Sequence, residues 1–232
     1  MIYAREGVAF IEFAFVAPFL LLLLFGGIEL ARYILIAQRL DAATGMLATV
    51  VSQYEPATDN TKEDGKLHQD YLSTDVFPLA RRVMLPCDEQ TDCAARFSST
   101  YNYPEYVAIL TAVRRESDGL KVKWQMGGGG SYGGVASLIN GGGPNNPPNA
   151  GVKDGAVTVT GETRTLLNNM RLGEVIIVAE SFYNYTPLYQ TLLERLGWRP
   201  EAAQMYRAVY MPPRKGDLIC LPPTFLYSGV CQ

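Results

Sequence analysis

Glu12 is the only charged residue between Val8 and Ile28, in a run of 21 residues that is otherwise almost wholly apolar. An ionisable side chain within a membrane span costs about 3 kcal/mol on insertion scales, and such residues usually serve a function. Lying one turn inside the run, Glu12 could instead snorkel to the interface with no role. Other chemistry-bearing residues are sparse. Cys87 and Cys93 enclose five residues, and Cys220 and Cys231 enclose ten. Neither spacing is a Cys-x-x-Cys zinc or redox signature. Of the three possible pairings we adopt two local disulfides, Cys87 with Cys93 and Cys220 with Cys231, which place the body in an oxidising compartment; buried free thiols are the alternative. Gly129-Gly130-Ser131-Tyr132-Gly133 has the Gly-x-Ser-x-Gly form of a hydrolase elbow. That elbow needs a histidine further along the chain, whereas the single histidine, His68, precedes it. No Gly-x-Gly-x-x-Gly opens a helix to cradle a dinucleotide. The chain is read as having no catalytic residue, no metal and no cofactor.

The elements that position these residues follow from composition. The 232 residues carry 20 basic and 23 acidic side chains, a net charge of −3, which disfavours nucleic acid as a partner. Only three basic and four acidic residues lie in 1–53. At ~1.5 Å per residue, a helix over 8–28 reaches across the ~30 Å of a bilayer core. No small-residue cleavage site follows the run, so it is not an ordinary signal peptide. Beyond Glu29 the residues Tyr33, Ile36, Leu40, Ala43, Leu47, Val50 and Val51 recur at intervals of three and four. Gln38, Asp41, Thr49 and Ser52 fall on the other face, so the helix continues to 53 as an amphipathic rod.

The ordered set Gly7, Glu12-Phe13-Ala14, Pro18, a leucine-rich run and Gly27-Ile28-Glu29-Leu30 resembles the TadE-like pseudopilins of tight-adherence (Tad, or Flp) pili, a branch of the type IV pilin-like proteins. The likeness covers residues 7 to about 51. It implies removal of leader 1–7 by a prepilin peptidase between Gly7 and Val8, with Glu12 and Phe13 in assembly. The Val8 α-amine so created, with a reference pKa of ~7.7–8.0, lies about one turn from Glu12, and in such families this carboxylate pairs with the amine of a neighbouring subunit. The implied partners are the cytoplasmic membrane, the peptidase, a partner TadE-like pseudopilin, the small major Flp-type pilin and the inner-membrane assembly platform. The implied location is the bacterial inner membrane with a periplasmic body, and the pilus after assembly. Arg5 alone precedes the span whereas Arg32 and Arg39 follow it. Orientation therefore rests on the resemblance and the cysteines, not on charge. The larger Tad pseudopilin with a von Willebrand A domain is disfavoured, because no Asp-x-Ser-x-Ser motif occurs.

Residues 54–103 read as a polar connector with a disulfide loop, and 104–232 as a sheet body. Val107 to Val113 and the alternating Leu120, Val122, Trp124 and Met126 form a hairpin with one buried face, turning at Glu116-Ser117-Asp118-Gly119. Ala156–Thr160, Glu174–Tyr185 and Gln204–Met211 supply further strands. Residues 127–151, with ten Gly, three Pro and four Asn, read as a long loop. Tyr189, Leu192, Leu193 and Leu196 suggest a short helix stopped by Gly197. Aromatic clusters at 101–106 and 182–189 could form an adhesive face or pack in the sheet. The fold class expected is α+β, type IV pilin-like, a long N-terminal helix packed on an antiparallel sheet. The function expected is that of a minor pilin in Tad pilus assembly, by priming or at the tip; the competing class is a single-pass membrane-anchored extracytoplasmic enzyme or ligand-binding protein.

Overall fold

The computed structural model describes residues 6–53, 71–84, 106–128, 137–139, 155–156, 162–195, 197 and 203–214. It has the expected α+β layout of a long N-terminal helix followed by an antiparallel sheet. The elements are α1 (Glu6–Ser52), a π-helical turn (Leu72–Val76) leading into α2 (Phe77–Met84), β1 (Tyr106–Glu116), β2 (Gly119–Gly128), β3 (Gly155–Ala156), α3 (Glu162–Asn168), β4 (Val175–Tyr185), α4 (Gln190–Arg195) and β5 (Ala203–Met211). The chain divides into two compact units, Met1–Gln38 with Tyr185–Ala202, and Arg39–Asn184 with Ala203–Gln232.

The second unit holds the sheet, in the order β3-β2-β1-β4-β5, with β1 antiparallel to β2 and β4, and β2 antiparallel to β3. The hairpin turns at Ser117-Asp118 into Gly119, whose φ of 142° is a conformation that side-chain-bearing residues rarely adopt. A register shift between Ala112 and Val113 corrects the single buried face expected for β2. Ala112 pairs with Trp124, but Val113 pairs with Val122, so Lys123 is the extra residue of a bulge. Because side chains alternate with period two, the bulge sends Leu120 and Val122 to one sheet face and Trp124 and Met126 to the other.

The first of these faces carries Val107, Ile109 and Val113 from β1 and Ile176, Val178 and Phe182 from β4; Ile139, Leu167 and Met170 also pack into its clusters. The opposite face carries buried Leu110, Ala112, Trp124, Ile177 and Ala179. β5 shows which face the helix takes. Tyr206 and Tyr210 join the first face, whereas the alternate residues Arg207 and Met211 reach Asp41, Thr49 and Ser52 of α1. The second half of α1 therefore lies against the opposite face, with Leu40, Ala43, Leu47 and Val51 buried.

The expected stripe needs revision at its edges: Tyr33 is exposed and Ile36 and Val50 are half-buried. Thr49 and Ser52, read as outward-facing, donate their hydroxyls to Gly45 and Thr49 carbonyls and to Met211 Sδ. Satisfying the hydroxyls within the helix lets these side chains face the protein. The Arg214 N–H donates to the Ser52 carbonyl at 2.9 Å, capping an acceptor that a helix end leaves open.

Two helices arise where no element was expected. Leu72, Val76, Phe77, Ala80 and Met84 are buried at helical spacing within the presumed connector, and α3 precedes β4. Pro78 has no N–H to give the carbonyl one turn back, which fits a π turn ending beside it. Gly197, at φ 83°, donates its N–H to Glu194 at 3.0 Å and ends α4 as expected. Residues 157–160 of the expected Ala156–Thr160 strand lie outside the described residues.

Glu180 is a fully buried carboxylate on the first sheet face, between Val178 and Phe182 on β4 and opposite Ile109 on β1. It accepts the Ser137 hydroxyl, the Leu138 N–H at 2.8 Å and the Tyr206 hydroxyl at 3.1 Å. Ser137 also accepts the Ile139 N–H, and Ile139 enters the core. Part of the glycine-rich loop is thus a plug held by one acid. Burial pushes the Glu180 carboxyl above its usual range, and the three donors only partly offset this. Burial, followed by the charges of Glu180 and Tyr210, likewise pushes up the Tyr206 hydroxyl.

Two outcomes are expected in thermal melts of the full chain in detergent. Leu47→Ala should destabilise by about 2–5 kcal/mol, whereas Leu35→Ala, at an exposed position of the same helix, should change little; equal losses would contradict the division of α1. The folded chain should keep the Glu180 proton at pH values where the unfolded chain has released it. Stability contributed by that proton is present below the ordinary carboxyl pKa of ~4.3 and is lost as pH rises towards the raised folded value. Wild type should therefore gain Tm relative to Glu180→Gln as pH falls from about 7.5 to about 5, and a difference flat in pH would refute the assignment.

Candidate functional site

α1 begins at Glu6, so Gly7 and Val8 lie in its first turn and Glu12 one turn beyond Val8. Glu12 and Phe13 are exposed, as are Phe10, Phe15 and Phe19, and none of the most apolar stretch is buried. Among the described residues Glu12 has no hydrogen bond or ion pair. Pro18 sits inside the helix without ending it. It removes one backbone donor, which leaves the Ala14 carbonyl free of its usual partner. The helix is long and apolar enough to cross a membrane.

The same unit contains a second constellation. Phe25, Glu29, Arg32 and Tyr33 follow one another at intervals of four, three and one, so they share a helix face. Glu29 accepts the Tyr185 hydroxyl and the Leu188 N–H, the latter at 3.2–3.3 Å. Arg32 lies 3.6 Å from Glu29 and places its guanidinium 6.0 Å from the Tyr185 ring centre. Tyr33 meets Tyr185 edge-on at 5.3 Å, and Phe25 meets Tyr189 at 5.1 Å. Hydrogen bonds to a carboxylate contribute about 1.5–3 kcal/mol each and aromatic pairs about 0.5–1.5 kcal/mol, so the strip is a strong intrachain anchor.

Of the residues singled out in the sequence, the helix brings Gly7, Val8, Glu12 and Phe13 together within two turns. Cys87, Cys93, Cys220, Cys231, His68 and the Gly129–Gly133 motif lie outside the described residues. Tyr106, Phe182, Tyr183 and Tyr185 are buried, so the sheet-packing reading of the aromatic clusters holds at these positions. The Tyr106 hydroxyl lies 3.3 Å from Ser181 Oγ, and burial pushes it up to about 12. Glu29 and Glu180 have structural roles that the sequence reading missed. The signal for Glu180 was one acid interrupting an apolar strand; for Glu29 it was an acid at the end of the span, which had been read only as part of a motif.

Among the described residues no three His, Cys, Asp or Glu side chains converge as metal ligands, and the Ser137–Glu180 pair is buried away from any substrate. No curated protein and no solved structure matches the chain. The family model described as TadE-like protein matches residues 7–48, starting at Gly7 and ending within the buried stripe. Over residues 7–48, then, this chain is similar to the TadE-like family.

Proposed function

We propose that this chain is a minor pilin, or pseudopilin, of a Tad-type pilus, acting in priming or at the tip, without catalysis of its own. The observation that carries the reading is the coincidence of the TadE-like match with a 47-residue helix whose first half exposes apolar side chains and whose second half buries one stripe against a sheet. A prepilin peptidase at the cytoplasmic membrane face cleaves between Gly7 and Val8. Glycine suits the position before the scissile bond because it presents no side chain. The new Val8 amine and the Glu12 carboxylate carry opposite charges on adjacent turns, and each pairs with the complementary group of a neighbouring subunit in the low-dielectric filament core. Pairing relieves the cost of keeping an acid among apolar groups, so Glu12 favours the assembled state over the lone subunit in lipid.

The partners on this reading are a second TadE-like pseudopilin, the major Flp-type pilin and the inner-membrane platform. The body is periplasmic before assembly and extracellular afterwards, and Cys87–Cys93 and Cys220–Cys231 are disulfides there. Intact-mass measurement on protein from the native host tests the core of the proposal. A chain starting at Val8 supports it, whereas a chain retaining Met1 or Arg5 favours a membrane-anchored enzyme or binding protein. Gly7→Val should leave the leader attached. Glu12→Gln should be cleaved and inserted normally, yet lose about 1–3 kcal/mol per subunit contact through the unpaired amine and so lower filament number; wild-type piliation by that variant would leave Glu12 as a snorkelling residue only.

A further inference from the structure

We propose that Tyr185–Tyr189 is a membrane-interface loop, held on α1 by Glu29 so that Leu188 and Tyr189 enter the boundary between phospholipid headgroups and acyl chains. The inference rests on the reading that α1 spans a bilayer and adds a second point of contact with it.

The contacts within the first unit fix the direction of the loop. Tyr185 is level with Tyr33, Leu188 with Glu29, and Tyr189 with Phe25. Eight helical residues separate Tyr33 from Phe25, about 12 Å along the axis. The segment therefore runs antiparallel to α1 and descends towards the apolar run, because Phe25 belongs to the stretch from Val8 to Ile28. If that stretch lies in acyl chains, Leu188 and Tyr189 lie at its edge.

The composition suits that depth. Leu188 is 53% exposed, and Phe25, whose ring meets the next residue Tyr189, is exposed too, so an apolar side chain projects near the end of the apolar run. Tyrosines are enriched at the membrane boundary, where ring and hydroxyl meet different solvents. Two backbone donors here are met within the unit, since the Leu188 N–H goes to Glu29 and the Gln190 N–H to the Pro187 carbonyl at 3.1 Å. Irregular backbone near hydrocarbon is tolerated only where its polar groups find such partners. Arg32 at the Glu29 level provides a charge for the headgroup layer. A bilayer is favoured over a protein partner because the loop is anchored to the spanning helix itself, in one compact unit.

The test uses the full chain in phosphatidylethanolamine–phosphatidylglycerol vesicles doped with lipid brominated either near the headgroup or near the bilayer centre. Leu188→Trp and, as a second reporter that keeps an aromatic ring against Phe25, Tyr189→Trp are compared with the parent, whose own tryptophan emission is subtracted. Leu22→Trp reports the span, and Leu166→Trp reports the exposed surface of the sheet unit. The added emission at 188 and 189 should be mostly lost to shallow bromines and largely retained against aqueous iodide. Leu22→Trp should respond to deep bromines and Leu166→Trp to iodide alone. If Leu22→Trp is not quenched by lipid, the spanning reading fails. If it is quenched while 188 and 189 respond only to iodide, the loop is in water and the inference is wrong. Protection at 188 and 189 from both quenchers would place the loop in a contact between protein chains, which also overturns it.

Discussion

One helix has to satisfy two different surroundings, and most of this structure follows from that constraint. Its backbone is self-sufficient over 47 residues, since each interior N–H and C=O except the Ala14 carbonyl, which faces Pro18, finds a partner one turn away. Side chains alone then decide what each part of α1 can lie against. The first half exposes Phe, Leu and Ile all round, which disfavours water on every side. The second half narrows to a stripe of Leu40, Ala43, Leu47 and Val51, and small residues in it allow close approach to the sheet. A helix with either character throughout would lack either the exposed apolar half or the sheet-binding half.

Acids supplied with donors by their own chain are the second theme. Glu180 and Glu29 each collect donors from a segment that is distant in sequence, and in both cases a backbone N–H is among them. An acid in the apolar interior is costly, so it is retained only where its acceptors are filled. The same cost makes such an acid selective, because a segment that fails to deliver its donors leaves a charge unpaired. At Glu180 the segment delivered is Ser137–Ile139, three residues from a stretch so rich in glycine, proline and asparagine that its own preferences specify almost nothing. Order there comes from the sheet.

Legibility in the sequence followed the physics of each signal. The long helix, the hairpin turn, β4, β5 and the stop at Gly197 were readable because periodicity and turn chemistry are local. The two-faced character of β2 was not, because a one-residue bulge depends on the partner strand and leaves alternation in the sequence intact. The helix over 77–84 was missed because polar neighbours masked a stripe of only a few buried residues. Thr49 and Ser52 were assigned to solvent on polarity alone, although hydroxyls that return to helix carbonyls can face a protein surface without loss. For the candidate site, Gly7, Val8, Glu12 and Phe13 could be named because their ordered spacing is itself the signal. Glu29 required tertiary contacts before its role was visible.

Glu12 and Glu29, both on α1, then stand in different surroundings. Glu29 is satisfied within its own chain, by Tyr185, Leu188 and the nearby Arg32. Glu12 has no such partner among the described residues and stands exposed among phenylalanines. An acid already supplied with donors contributes little to association, because a new partner must displace an old one. An unsupplied acid in a poorly solvating surrounding gains the full strength of any cation brought to it. On these grounds the middle of α1, at Glu29, specifies how the chain folds on itself, whereas the stretch around Glu12 is where the proposed pairing with another subunit has most to gain.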